Sequence, residues 1–105
     1  MSTLSTHVLD AQFGRPAAAM AVRIDLADGT TRTGTTDDDG RLRLPDPVPT
    51  GHAAITFATG PWFAAADRVT FYPEVRIDVT VADADEHYHV ALLLSPFSYT
   101  TYRGS

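Results

Sequence analysis

His87 and His89 flank a tyrosine near the end of the chain, and the residues beyond them run through an apolar stretch to Tyr102, Arg103, Gly104 and Ser105. Imidazoles move protons near neutral pH, a guanidinium holds a carbonyl or carboxylate oxygen, and a phenol hydrogen-bonds a ring edge. This terminus therefore carries the parts of an acid–base site. On a strand, the period of two puts His87, His89, Ala91 and Leu93 on one face and Tyr88, Val90, Leu92 and Leu94 on the other. The second set is core. The first begins with two imidazoles, roughly 6.5–7 Å apart at the backbone, and ends in apolar residues, as an interface or a pocket wall would.

Two more residues could join that chemistry. His7 lies in an early pattern in which Leu4, Thr6 and Val8 alternate with Ser5, His7 and Leu9, so a strand there turns it away from the core-facing set. Arg41 directly follows Asp37-Asp38-Asp39-Gly40, where a tight turn can present a guanidinium rigidly. The acidic run itself lacks the alternate ligand spacing and the distant Glu of an EF-hand loop, and it is expected to be a solvated turn. Residue types alone leave open a metal site of His7, His87 and His89 with a free position for water. They equally leave open a surface pair of histidines at a sheet edge and a frayed terminus at Tyr102 and Arg103.

The elements that must position these groups are short. Met20, Val22, Ile24 and Leu26 alternate with polar partners, Asp28-Gly29 supplies a tight hairpin, and a Thr-rich strand runs from it to the acidic turn. Three prolines between Arg43 and Pro49 restrict that segment to a loop or a short edge strand. Ala53, Ile55 and Phe57 mark another strand, and Trp62 to Asp67 has the composition of a helix of at most two turns. Val75, Ile77, Val79 and Val81 alternate cleanly, a turn is expected at Asp83 to Asp85, the histidine strand follows, and a last strand is expected from Phe97 to Tyr102. Seven or eight short strands with one short helix predict an all-β antiparallel β-sandwich.

Length and composition restrict partners. The chain has 105 residues, enough for one domain over residues 1–105 and too few for a second core. A net charge of −5 with no long run of one sign makes nucleic acid an unfit partner. The absence of cysteine removes disulfides, thiolate nucleophiles and Cys-based zinc sites. No apolar run nears the 18 residues of a membrane span, and the first ten residues lack a basic region followed by an apolar core, so a soluble cytoplasmic protein is expected.

Taken together, Leu4-Ser5-Thr6-His7-Val8-Leu9-Asp10, Gly14-Arg15-Pro16-Ala17, Thr36 to Arg41, Phe71 to Val75, His87-Tyr88-His89-Val90, Leu92 to Phe97 and Tyr102-Arg103-Gly104-Ser105 span nearly the whole chain. In these segments it resembles the 5-hydroxyisourate hydrolase family, the transthyretin-related enzymes of urate breakdown. The terminal Tyr-Arg-Gly-Ser separates those hydrolases from the hormone-carrying transthyretins. The resemblance implies a transthyretin-like sandwich and a homotetramer, a dimer of dimers with active sites where two dimers meet, and it implies no cofactor. It places His7, Arg41, His89 and Tyr102 in the catalytic site, with Arg103 beside them for substrate binding. Ala91 stands where the family usually has proline, Ser98 where glycine is common, and the Asp28-Gly29 hairpin is short.

The reaction so implied is hydrolysis of 5-hydroxyisourate to 2-oxo-4-hydroxy-4-carboxy-5-ureidoimidazoline, a step of purine degradation. One of His7 and His89 would take a proton from water and the other would orient the substrate or return the proton, with Arg41 holding a carbonyl oxygen as it gains charge. The alternative functions are a transthyretin-like small-ligand carrier and a histidine-based metal-dependent hydrolase.

Overall fold

Among the described residues, nine strands and one helix follow in the order β1 (Thr3–Asp10), β2 (Arg15–Pro16), β3 (Ala21–Asp25), β4 (Thr31–Thr35), β5 (Arg41–Arg43), β6 (Gly51–Phe57), α1 (Thr59–Ala65), β7 (Val75–Val81), β8 (His87–Ser95) and β9 (Ser98–Gly104). The computed structural model describes residues 1–82 and 85–104. One sheet has the order β2-β1-β8-β9, with β5 also pairing β1, and the other has the order β4-β3-β6-β7. The expected all-β sandwich with one short helix is the observed architecture. The count exceeds the expected seven or eight because β2 and β5 are only two and three residues long, too short to leave an alternation.

The core lies between the sheets. Leu4 and Val8 of β1, with Tyr88, Val90, Leu92 and Leu94 of β8, face Val22, Ile24, Ile55, Phe57, Val75 and Val81 of the other sheet. The period of two decides this split, since strict alternation sends every second side chain into the same layer. Phe63 of α1 and Met20 are fully buried with them.

One pairing departs from the antiparallel expectation. β1 and β8 run parallel over their whole length, from Thr3 beside His87 to Asp10 beside Leu94. A parallel pair needs a long crossover, and nearly the whole chain supplies it here. Alternation defines a strand's faces but is the same read in either direction, so it carried no information on this point.

The helix is displaced from its expected span of Trp62 to Asp67. It begins at Thr59 because Pro61 sits in the first turn, where a missing N–H costs nothing. It ends in a left-handed residue, Asp67 at φ 54°. There the Arg68 N–H donates to the Phe63 carbonyl at 3.0 Å and the Asp67 N–H to the Ala64 carbonyl at 3.0 Å. That stop sends Arg68 back across the sandwich to Asp10, whose side chain is fully buried, with Arg68 Nη1 2.8 Å from Asp10 Oδ2. The guanidinium also lies 4.2 Å from the Phe13 ring centre and 4.7 Å from that of Phe63. Neither Asp10 nor Arg68 stands out in the sequence, because a buried ion pair 58 residues apart has no local pattern.

At the other end, the last strand continues beyond Tyr102 to Gly104, antiparallel to β8, instead of fraying. The turn expected at Asp83 to Asp85 involves residues 83 and 84, which lie outside the described residues, as does Ser105.

Candidate active site

The parallel pairing brings the two ends of the chain side by side. His7 of β1 sits opposite Ala91 of β8, and Ser5 opposite His89. On the other side of β1, His7 is opposite Arg41 and Ser5 opposite Arg43 of β5. β9 sets Tyr102 opposite Ala91 and Gly104 opposite His89. Since directly paired residues share a face, His7, Arg41, His89 and Tyr102 all stand on the outer face of one sheet. The structure thus brings together four of the five residues that the resemblance assigns to the site.

Arg103 is the exception. It pairs with Val90 and points to the opposite face, where its guanidinium lies 4.4 Å from the Tyr88 ring centre and Nη2 is 3.3 Å from Glu86 Oε2. The same alternation that orients Tyr102 outward turns its neighbour inward. Arg103 is placed to anchor the tail strand.

Arg41 owes its position to the acidic turn. Asp37 Oδ1 accepts hydrogen bonds from the N–H groups of Asp39 and Arg41, each at 2.9 Å, and the Gly40 N–H donates to the Asp37 carbonyl at 2.9 Å. Gly40 has φ 74°, and a Cβ on it would come within 2.4 Å of the Val8 carbonyl oxygen, so only glycine fits. The turn is solvated, as expected, and it also does a job the sequence did not reveal. The Asp39 carbonyl accepts a hydrogen bond from His7 Nε2 at 2.9 Å. Because a carbonyl can only accept, Nε2 carries the proton in neutral His7 and the lone pair lies on Nδ1.

His89 is held from two sides. Its Nδ1 lies 2.7 Å from Ser5 Oγ. A Cβ on Gly104 would come within 2.5 Å of its Cδ2, so the imidazole packs directly on the glycine of the terminal segment. The ring centre lies 6.3 Å from that of His7 and 6.5 Å from that of His87. Among the described residues, Nε2 of His89 and the guanidinium of Arg41 have no hydrogen-bond partner. Burial, reinforced by the Arg41 guanidinium and by repulsion from the His7 and His87 imidazoles when these are protonated, lowers the His89 pKa below the ordinary 6.5. His89 therefore rests as a neutral base.

His87 is exposed and fully hydrogen-bonded, with Nδ1 2.6 Å from Thr3 Oγ1 and Nε2 2.8 Å from Ser5 Oγ. A cleft of about 250 Å³ is lined by Ser5, Arg41, Arg43, His87 and His89. Ser5 and Arg43 were not singled out from the sequence. Their signal was the alternation that already put Ser5 on the face of His7. Among the described residues, no three His, Asp or Glu side chains are placed to hold one metal ion. Neutral bases facing an unpaired guanidinium across a small cleft can take a proton from water while a carbonyl oxygen is held in place.

Comparison with known proteins gives a consistent picture. The model of the HIUase/Transthyretin family matches residues 4–104. The chain is 41% identical to a 5-hydroxyisourate hydrolase of Caulobacter vibrioides, covering 100% of both. It is 40% identical to that of Salmonella dublin, covering 97% of this chain and 80% of the relative. The solved structure of Klebsiella pneumoniae 5-hydroxyisourate hydrolase superposes with a TM-score of 0.90 at 37% identity, covering 100% of this chain and 94% of that one. Sea bream transthyretin in complex with thyroxine superposes at 0.83 with 31% identity, covering 96% and 93%.

Proposed function

The chain belongs to the HIUase/Transthyretin family, and on that premise we propose that it is an enzyme that hydrolyses 5-hydroxyisourate. The observation that carries this reading is the convergence of His7, Arg41, His89 and Tyr102 on one sheet face, with a base nitrogen and a guanidinium that have no hydrogen-bond partner among the described residues beside a cleft.

Water adds to a ring carbonyl carbon of the bicyclic lactam, giving up a proton to Nε2 of His89. General-base help of this kind supplies about 10²- to 10⁴-fold. Arg41 holds the oxygen on which negative charge collects, a fixed contact whose loss commonly costs about 10²- to 10³-fold. The carbon–nitrogen bond then breaks, the carbonyl reforms as a carboxyl group, and the leaving nitrogen takes the proton back from His89. His7, locked by the Asp39 carbonyl, presents Nδ1 as an acceptor that orients the attacking water or a ring N–H. Tyr102 bonds a ring edge. Arg103 positions Tyr102 and Gly104 by anchoring their strand on Tyr88 and Glu86. No cofactor enters these steps.

The chain works as a homotetramer, a dimer of dimers whose sites lie where two dimers meet. The site face continues into Ala91 and the half-buried Leu9 and Leu93, an apolar margin suited to burial against a second copy. The enzyme acts in purine degradation, in the cytoplasm. Among the described residues, no helix is long and apolar enough to cross a membrane.

The test is the ultraviolet decay of freshly generated 5-hydroxyisourate after chelator treatment, with Arg41→Ala as control. Decay well above the spontaneous rate that the control loses is expected. Decay at the spontaneous rate would sink the proposal.

A further inference from the structure

His87 takes no part in the steps above, yet both of its ring nitrogens are engaged, and one engagement leads straight to His89. Ser5 Oγ lies 2.8 Å from His87 Nε2 and 2.7 Å from His89 Nδ1, and Thr3 Oγ1 lies 2.6 Å from His87 Nδ1. A serine hydroxyl has one proton, so between two ring nitrogens it donates to one and accepts from the other. The chain Thr3–His87–Ser5–His89 therefore has two consistent arrangements. In the first, His89 Nδ1–H donates to Ser5, Ser5 donates to His87 Nε2, His87 Nδ1–H donates to Thr3, and His89 Nε2 is a bare base. In the second every bond is reversed, and His89 carries its proton on Nε2, ready to act as an acid. These are the two forms of His89 that a hydrolysis needs.

We propose that Ser5 is a proton relay joining half-buried His89 to solvent-exposed His87, so that His89 alternates between base and acid while the positive charge is carried by His87. The inference rests on the hydrolase reading and extends it. When His89 takes the water proton at Nε2, its Nδ1 proton passes to Ser5 Oγ and the serine's own proton passes to His87 Nε2. His87, now an imidazolium, releases its Nδ1 proton through Thr3 or directly to bulk water. When His89 gives its Nε2 proton to the leaving nitrogen, the same hops run backward and draw one proton in from solvent. Each step conserves protons, and no heavy atom moves far.

The surroundings supply the reason for such a path. His89 faces His7 on β1, Arg41 and Arg43 on β5, His87 on its own strand and Tyr102 on β9. Among the described residues, two guanidiniums and two imidazoles stand around it and no carboxylate does, so a lasting imidazolium there is disfavoured both by burial and by like charge. His87 is exposed, and the adjacent Glu86 is paired with Arg103. Charge sent outward meets water.

The test compares Ser5→Ala, Ser5→Thr and the parent in two readouts, with circular dichroism as a check on folding. In kinetics, Ser5→Ala is expected to lower kcat about 10-fold or more at an unchanged KM and to alter the acid limb of the pH profile, while Ser5→Thr, which keeps the hydroxyl, restores most of both. In ¹⁵N NMR without substrate, titration of His87 is expected to shift the His89 ring nitrogens in the parent and in Ser5→Thr but not in Ser5→Ala. Parent-like kcat and pH profile in Ser5→Ala, or coupling that persists in that variant, would overturn the relay. If the parent itself does not hydrolyse 5-hydroxyisourate, the hydrolase reading fails separately. The coupling between the two rings then stands or falls on the NMR comparison alone.

Discussion

Replacing Gly104 by alanine tests how the tail segment serves the site. A Cβ at this position comes within 2.5 Å of His89 Cδ2, whereas ordinary van der Waals contact begins at 3.4 Å, so the ring or the tail strand must yield by about 0.9 Å. The ring cannot yield freely, because Nδ1 is held by Ser5 at 2.7 Å, and a shift of that size along the bond would lengthen it beyond the ~3.2 Å limit of a sound hydrogen bond. Misplacing a reacting group by about 1 Å can cost about 10²-fold, and that is the loss expected in kcat. Stability should move the other way, or not at all. Alanine at this strand end avoids part of the glycine entropy cost, roughly 0.5–1 kcal/mol in a strand interior, which offsets the local crowding. The assay is the initial rate of 5-hydroxyisourate decay beside a thermal melt of the same preparation. Parent-like turnover would refute the claim that glycine is needed there to seat His89. Loss of activity accompanied by a large drop in Tm would refute the claim that the effect is local.

Three further outcomes follow from other contacts. Asp10→Asn leaves the Arg68 guanidinium, 14% exposed, without a counter-charge and should cost about 3–5 kcal/mol in urea unfolding, a loss that a surface pair would not produce. Burial alone would raise the Asp10 pKa, but Arg68 and the N–H groups of Phe13 and Gln12 hold it below the ordinary 3.8. Its stabilisation is thus present above that value and lost as pH falls through the lowered pKa, an acid sensitivity that Asp10→Asn should lack. Asp37→Ala removes the acceptor of two turn N–H groups and should lower kcat about tenfold through Arg41 and His7, with Asp37→Asn restoring most of it; equal rates in all three proteins would show that the turn holds without this carboxylate. An NMR titration should find the His89 pKa below 6.5 in the parent and higher in Arg41→Ala, which removes one of the like charges; an unmoved value would show that Arg41 does not act on His89. A depressed histidine pKa also means that stability is complete above about 6.5 and declines as pH falls from there toward the folded-state value.

Much of this molecule was legible in its residues. The alternation through Thr3–Asp10 and His87–Ser95 assigned each side chain to a face, and the structure puts His7 and His89 on the outer face and Val8 and Val90 in the core. Asp28-Gly29 is a turn, as expected, but of its two residues only Gly29, at φ 85°, takes the positive angle, whereas a two-residue Asp-Gly hairpin would need it at both. Such features depend on a residue and its near neighbours, so a linear reading contains them.

Which strand lies beside which is a different matter, because it is decided by how two whole faces bury each other. Period two says that His7 and His89 each face outward, but only the parallel register of β1 on β8 places them within one site, and only that register puts Ser5 between His87 and His89. The last strand is expected to stop at Tyr102, with a frayed end as the open alternative, yet β8 offers the tail an edge to pair with, and pairing carries the strand to Gly104 and turns Arg103 to the other side. Asp10 and Arg68 meet across 58 residues because a helix ends in a left-handed turn that redirects the chain. Faces are local properties of a strand. Neighbours are properties of the packed whole, since the burial that selects them belongs to no single segment.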